Sequence, residues 1–170
     1  YKLKWRDLTM KETPQGITFI EFNERISKTR NGENGEIRST IPKMFETPLH
    51  PARCPVQAYK KYASLRPSGY SSPDDPFYLA PRTVPHTEDK ENDIWFKKQK
   101  VGDKKLSSLM KVMANKANLN KDKKLTNHSG RKRLVQKLRD NNVSTVDIMQ
   151  ITGHKSERSI NNYSELSTKR

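Results

Sequence analysis

Proline and glycine divide this chain before any other feature does. Residues 66–93 carry Pro67, Gly69, Pro73, Pro76, Pro81 and Pro85, with several Asp and Ser between them. A proline removes a backbone donor and fixes φ, so this density excludes a helix or a central strand. The stretch is predicted to be a long connection, interrupted at Phe77-Tyr-Leu79 by a small strand or a packed loop. The segments on either side of it have different hydrophobic periods. No linker that must separate two domains and no internal repeat is visible.

The N-terminal side reads as β. Leu3, Trp5 and Leu8 form a short apolar pattern, and residues 17–22 (Ile-Thr-Phe-Ile-Glu-Phe) interleave β-branched and aromatic residues with polar ones. Asn and Gly at 31–35 tolerate positive φ, and residues 37–41 resume an extended pattern. Two strands around an Asn/Gly loop predict a hairpin. Residues 48–55 are Pro-rich and predicted to be loop. Pro55 suits the first turn of a helix, where its missing N–H has no partner to lose. Val56, Tyr59, Tyr62, Ala63 and Leu65 continue that helix.

The last 75 residues read as helical. Leu106, Leu109, Met110, Met113 and Ala117 share one face behind Asp103, a predicted N-cap. Residues 131–140 place Leu134, Val135 and Leu138 together. Ser144 is suited to cap a helix over Thr145–Thr152, with Val146, Met149 and Ile151 available for packing and Gly153 as its stop. Ser156 is suited to cap a final helix through Ile160 and Tyr163. Trp95 and Phe96 are expected in a core. The fold class is therefore α+β, mainly helical: an N-terminal antiparallel hairpin or small sheet followed by a helical bundle, as a single domain over residues 1–170.

Charge narrows the function. Lys and Arg number 34 against 19 Asp and Glu, a net +15 over 170 residues, of which only 31% are hydrophobic. Between residues 97 and 139, fifteen Lys or Arg face only Asp103 and Asp122, a net +13 in 43 residues. Such self-repulsion favours an anionic partner, nucleic acid before all others. A solvated Lys-rich surface is the plainer reading. No apolar run approaches the roughly 20 residues of a transmembrane helix, and no basic amphipathic helix suits a membrane surface. Cys54 is the single cysteine, which excludes a disulfide framework and two- or four-cysteine zinc sites. The chain opens at Tyr1 without Met or a signal-peptide pattern, as expected of a piece of something longer.

The chemistry concentrates in residues 126–164. His128 and Arg131 are three apart, a helical spacing that lets both meet one ligand. His154 follows a helix-ending Gly, 23 residues after Arg131, and Tyr163 follows nine residues later. His50 and His86 lie in Pro-flanked loops and match no pattern. No Asp/Glu cluster accompanies the histidines, which argues against a metal-dependent nuclease.

This order and spacing resembles the tyrosine recombinases and phage-type integrases, whose catalytic domain ends with His-x-x-Arg, Gly-His and a nucleophilic Tyr. The Leu-Lys-Trp-Arg-Asp-Leu run of residues 3–8 is similar to the strand following that family's first catalytic Arg, so the resemblance spans nearly the whole chain. The Ile-Ser-Lys-Thr run at 26–29 is similar to its hairpin lysine. Arg25, Arg30 and Lys43 lie near the same hairpin, and the Lys-Thr dipeptide favours Lys28. The Asn-His-Ser-Gly-Arg-Lys run at 127–132 and the Ile-Thr-Gly-His-Lys-Ser run at 151–156 most resemble Crypton-type recombinases, including animal domains derived from Crypton transposons.

The resemblance implies DNA strand breakage and rejoining through a 3′-phosphotyrosine, as in DNA integration or recombination. It makes Tyr163 the nucleophile, Arg131 and His154 phosphate ligands, His128 an aid to proton removal and Lys28 the leaving-group acid. No cofactor and no metal is implied. Double-stranded DNA is the expected partner, with self-association on DNA as a synaptic dimer or tetramer and a nuclear location. Lys121, Lys123, Lys124, Lys132 and Lys155 are expected contacts to DNA phosphates. The family's first Arg is expected upstream of Tyr1. An inactive, domesticated DNA-binding or protein-interaction module is the alternative.

Overall fold

A computed structural model describes residues 3–25, 41–83, 95–120 and 125–161. It is α+β, with small antiparallel sheets followed by helices. The chain divides into two compact units, residues 1–37 with 41–102 and residues 38–40 with 103–170.

In the first unit, strands β1 (Leu8–Glu12), β2 (Thr18–Phe22) and β3 (Lys43–Phe45) form an antiparallel sheet with β2 in the middle. The β1–β2 register runs from Leu8 opposite Phe22 to Glu12 opposite Thr18. The turn between them is made by Thr13, Pro14, Gln15 and Gly16. The Gly16 N–H donates to the Thr13 carbonyl at 2.9 Å, and Gly16 adopts φ 80°. Pro presets the first bend and Gly accepts the left-handed one, so this hairpin is written in the local sequence.

The hairpin predicted around residues 31–35 lies outside the described residues. The strand expected from Leu3 to Leu8 is instead a 3₁₀ turn at Trp5–Asp7, leading into β1. The Asp7 carboxylate accepts from the Lys4 N–H at 2.7 Å, which closes that turn. β3 lies just beyond the predicted 37–41 strand.

Helix α1 (Pro55–Ser64) forms where its proline and apolar spacing predict. Val56 is fully buried beside Ile20 and Cys54, with Leu8 and Tyr59 against them. In the described part of the Pro-rich connection, residues 66–83, aromatic and carbonyl contacts hold the chain. Arg66 stacks 4.2 Å over the Trp5 ring and donates to the carbonyls of Phe77 and Tyr70 at 2.7 and 2.8 Å. The Tyr62 hydroxyl donates to the Phe77 carbonyl at 2.6 Å and accepts from the Leu79 N–H. Leu79–Pro81 is then strand β4, paired antiparallel with β5 (Phe96–Lys100). The sequence reading assigned residues 96–100 to helix; pairing with β4 overrides that. Phe96 packs edge-on to Tyr62, whereas Trp95 is 54% exposed and not in a core.

The second unit holds helices α2 (Asp103–Lys116), α3 (Asn127–Asp140), α4 (Thr145–Thr152) and α5 (Glu157–Asn161). Asp103 is the first residue of α2 rather than its N-cap; its carboxylate still favours the helix start. Leu106 and Met110 are half-buried, while Leu109 and Met113 are exposed, so the predicted face is covered on one side only.

Val135, Ile148 and Ile160 have no exposed surface and join α3, α4 and α5, flanked by Leu138, Val143 and Met149. This corrects the sequence reading of α4: Val146 is 68% exposed and Ile151 39%, while Ile148 and Thr152 turn inward. In α3, Leu134 also faces outward, at 41%. Asn142, at φ 57°, reverses the chain after α3, and the Val143 N–H returns to the Leu138 carbonyl.

Candidate functional site

The start of α3 carries the first two residues of the site. The Thr126 N–H donates to Ser129 Oγ at 3.0 Å, and the Ser129 N–H to the Thr126 carbonyl at 2.8 Å. These bonds start the helix at Asn127, so the helical spacing expected of His128 and Arg131 is present. His128 and Arg131 therefore sit within its opening turns, one helical step apart and both exposed.

The end of α4 carries the third. Ser144 caps that helix as predicted, its Oγ accepting from the Asp147 N–H at 3.1 Å. Gly153 ends it at φ 72°, ψ 30°, with its N–H on the Met149 carbonyl at 2.8 Å. A left-handed residue is needed there, which is why glycine precedes the histidine. The turn presents His154 half-buried toward α3.

Arg131 Nε donates to His154 Nε2 at 3.2 Å. Thus Arg131 and His154, 23 residues apart in sequence, are in direct contact. The other imidazole nitrogen, Nδ1, lies 2.6 Å from Thr152 Oγ1. Burial holds the His154 imidazole below its ordinary pKa, and the charges of Arg131 and His128 push it the same way. His128 is thus electrically coupled to the pair. Arg131 Nη1 and Nη2 have no hydrogen-bond partner among the described residues, so the fork keeps two donors for an oxyanion. Lys132 and Lys155 are exposed beside Arg131 and His154 in sequence and add positive charge to this end of the unit.

The remaining expected residues divide clearly. Lys28, Lys121, Lys123, Lys124 and Tyr163 lie outside the described residues. The last described helix ends at Asn161, whose side-chain oxygen accepts from Arg139 Nη2 at 2.8 Å, tying α5 to α3. Two of the other hairpin cations are held structurally. Arg25 binds the buried Asp7 carboxylate through Nε at 2.6 Å and Nη2 at 3.0 Å, and Lys43 lies 5.0 Å over the Phe19 ring. Thr152 was missed by the sequence reading. Its only sequence signal is a hydroxyl two residues before the histidine, which has no meaning until α4 ends between them.

Among the described residues, no group of three or more His, Cys, Asp or Glu side chains is placed to hold a metal ion. No described helix is long and apolar enough to cross a membrane. What the arrangement offers is an imidazole and a guanidinium fork converging on one point, in a strongly basic segment. Groups of this chemistry can bind a phosphate or another oxyanion.

No curated protein and no solved structure matches this sequence. A family model described as a domain of unknown function, DUF3504, matches residues 2–115, which covers the first unit and most of α2 but stops before α3. With well over half its length matched, the chain belongs to the DUF3504 family.

Proposed function

We propose that this chain is the catalytic domain of a Crypton-like tyrosine recombinase, which breaks and rejoins DNA strands through Tyr163. The observation that carries the reading is the Arg131–His154 contact at 3.2 Å, with His128 one helical step away. The resemblance requires these three residues to act on one phosphate, and the contact between Arg131 and His154, with the electrostatic effect of His128 on His154, supports it.

In this reading the phenolic oxygen of Tyr163 attacks the phosphorus in line and the bond to the 5′ oxygen breaks. A 3′-phosphotyrosine forms, and the departing 5′ oxygen takes a proton from Lys28. The phosphodiester bond energy is retained, so religation by the reverse attack needs no nucleotide. Arg131 binds two non-bridging oxygens through Nη1 and Nη2 and stabilises the charge that grows on them. His154 holds the same phosphate. His128 assists removal of the Tyr163 proton, which at an ordinary pKa of about 10 does not leave unaided at neutral pH. Lys121, Lys123, Lys124, Lys132 and Lys155 neutralise backbone phosphates, so binding weakens as salt rises, with a log–log slope of about −0.9 per contact. Assembly of two or four copies on DNA and a nuclear location belong to the same proposal.

The test is a nicked suicide duplex incubated with the natural full-length protein. A covalent DNA adduct that disappears in Tyr163→Phe supports the reading. Salt-sensitive binding with no adduct, or an adduct that survives Tyr163→Phe, sinks it; the first outcome points instead to an inactive DNA-binding module.

A further inference from the structure

Thr152 is 8% exposed, and its hydroxyl makes two short contacts, both 2.6 Å: to the Ile148 carbonyl and to His154 Nδ1. A hydroxyl has one proton. A carbonyl oxygen accepts only, so that proton points to Ile148. The Thr152 oxygen must then accept from His154, which puts a hydrogen on Nδ1. At the other side of the ring, Arg131 Nε is a donor without acceptor capacity. Nε2 must therefore present its lone pair. Two independent contacts, one from α4 and one from α3, thus require the same tautomer.

We propose that Thr152 is a positioning residue that holds His154 in the Nδ1–H tautomer with Nε2 as an acceptor, so that His154 becomes a phosphate donor only by taking up a proton when an anion engages Arg131. It rests on reading this pair as an oxyanion site. A protonated imidazole would set Nε2–H against Arg131 Nε–H, donor against donor. Among the described residues, Arg131 and, when protonated, His128 act on the ring from α3, and both oppose its protonation. An oxyanion on the guanidinium removes that opposition: it draws the fork onto its own oxygens and supplies an acceptor for Nε2–H. The neutral ring is the resting form and the cation the ligand-bound form. The net proton comes from solvent, and the anion's charge compensates it. Thr152 Oγ1 accepts from Nδ1 in both forms, so the ring keeps its orientation while its charge changes.

The test uses the ¹⁵N-labelled chain, with the His154 imidazole signals assigned by loss in His154→Gln. In the wild type at neutral pH, Nδ1 should carry the proton and Nε2 should resonate as an unprotonated nitrogen. The Nδ1–H form should exceed the other by about five- to tenfold, the ratio an ordinary net hydrogen bond sustains. Thr152→Val should weaken that bias to the part that the Arg131 contact sustains alone, and Thr152→Ser should restore it in full. Inorganic phosphate, titrated upward, should raise the His154 titration midpoint in wild type and Thr152→Ser, and leave it unmoved in Arg131→Ala.

A wild-type ring protonated on Nε2 overturns the proposal without any variant, as does a bias unchanged in Thr152→Val. A midpoint that stays fixed under phosphate overturns the proton-uptake step. None of these readouts needs strand cleavage. Absence of a tyrosine adduct therefore defeats the recombinase reading while leaving the tautomer result intact, and the converse also holds.

Discussion

On the proposed recombinase reading, replacing Arg131 by lysine separates charge from geometry at the site. The guanidinium makes a divided use of its donors: Nε goes to His154 Nε2 at 3.2 Å, and Nη1 and Nη2 remain for an oxyanion. Lysine keeps the positive charge but has no fork, so it cannot hold His154 and two phosphate oxygens at once. Loss of one positioned donor to a developing oxyanion slows reaction by roughly 10²–10³-fold, about 2.7–4 kcal/mol. Ground-state attraction to DNA depends mainly on charge, so the affinity and its salt slope should change little. Arg131 is exposed on α3, which limits the effect on folding to about 0.5 kcal/mol. Single-turnover adduct formation on a nicked duplex gives the rate, filter binding over a salt series gives the affinity, and thermal melting gives the fold. Arg131→Lys within about tenfold of wild type in adduct rate would refute the argument. So would a rate loss matched by an equal loss of binding, because that is the signature of a charge acting alone.

Three further outcomes follow from the packing and the electrostatics. Ile148→Ala should destabilise the second unit by about 2–5 kcal/mol and Ile148→Val by about 0.5–1.5 kcal/mol, read as urea midpoints, because Ile148 has no exposed surface; equal effects of the two would contradict the cavity argument. Asp7→Ala should cost about 3 kcal/mol, the low end for a broken buried pair, because Asp7 is 1% exposed but Arg25 is 34% exposed and reaches water. The Asp7→Ala/Arg25→Ala double variant should be no less stable than the single one; additive losses would show that the pair is not coupled. His154, held below its ordinary pKa, binds more protons unfolded than folded. Its contribution to stability is therefore complete above about pH 6.5 and is lost as pH falls through the folded value. Urea midpoints between pH 5 and 8 should fall more steeply toward acid in wild type than in His154→Gln, and parallel profiles would contradict the shift.

The elements that could be read from sequence are those whose signal is local. Pro55 and the apolar spacing behind it mark α1, and Ser144 and Gly153 bound α4 correctly. Each is a backbone demand that one or two residues meet. The errors arise where a distant partner decides. Phe96–Lys100 has a Lys-rich sequence with no strand alternation, and becomes a strand because Leu79–Pro81 offers a free edge. In α4, apolar content alone leaves Val146, Met149 and Ile151 as reasonable core residues. The helix phase relative to Val135 and Ile160 selects Ile148, with Met149 packed beside it, and leaves Val146 and Ile151 exposed. Trp95 is apolar enough for a core and still stands exposed just before β5. For the site, order and spacing were sufficient to nominate His128, Arg131 and His154. Thr152 was invisible because its role is a hydrogen bond to a ring that only the folded turn brings within reach.

The site and the core of the second unit are set by the same packing. Arg131 lies one helical turn before Val135 on α3, and Thr152 one turn after Ile148 on α4. Along the seam the pairs step in opposite senses: Val135 and Ile148 close the interior, and Arg131 and His154 meet at its outer end. The Arg131–His154 distance is therefore fixed by how far apart the buried isoleucine and valine hold the two backbones, and by the left-handed residues Asn142 and Gly153. A displacement of about 1 Å in a reacting group can lower a rate about 10²-fold, far more than the same displacement costs in stability when a methyl group is lost. On the proposed recombinase reading, Ile148→Val should remain folded at neutral pH and bind DNA as the wild type does, yet form adduct more slowly than its small stability loss accounts for. If its adduct rate matches wild type while its urea midpoint falls, the seam does not set the site, and the alignment of Arg131 with His154 must be maintained by their own hydrogen bonds to each other and to Thr152.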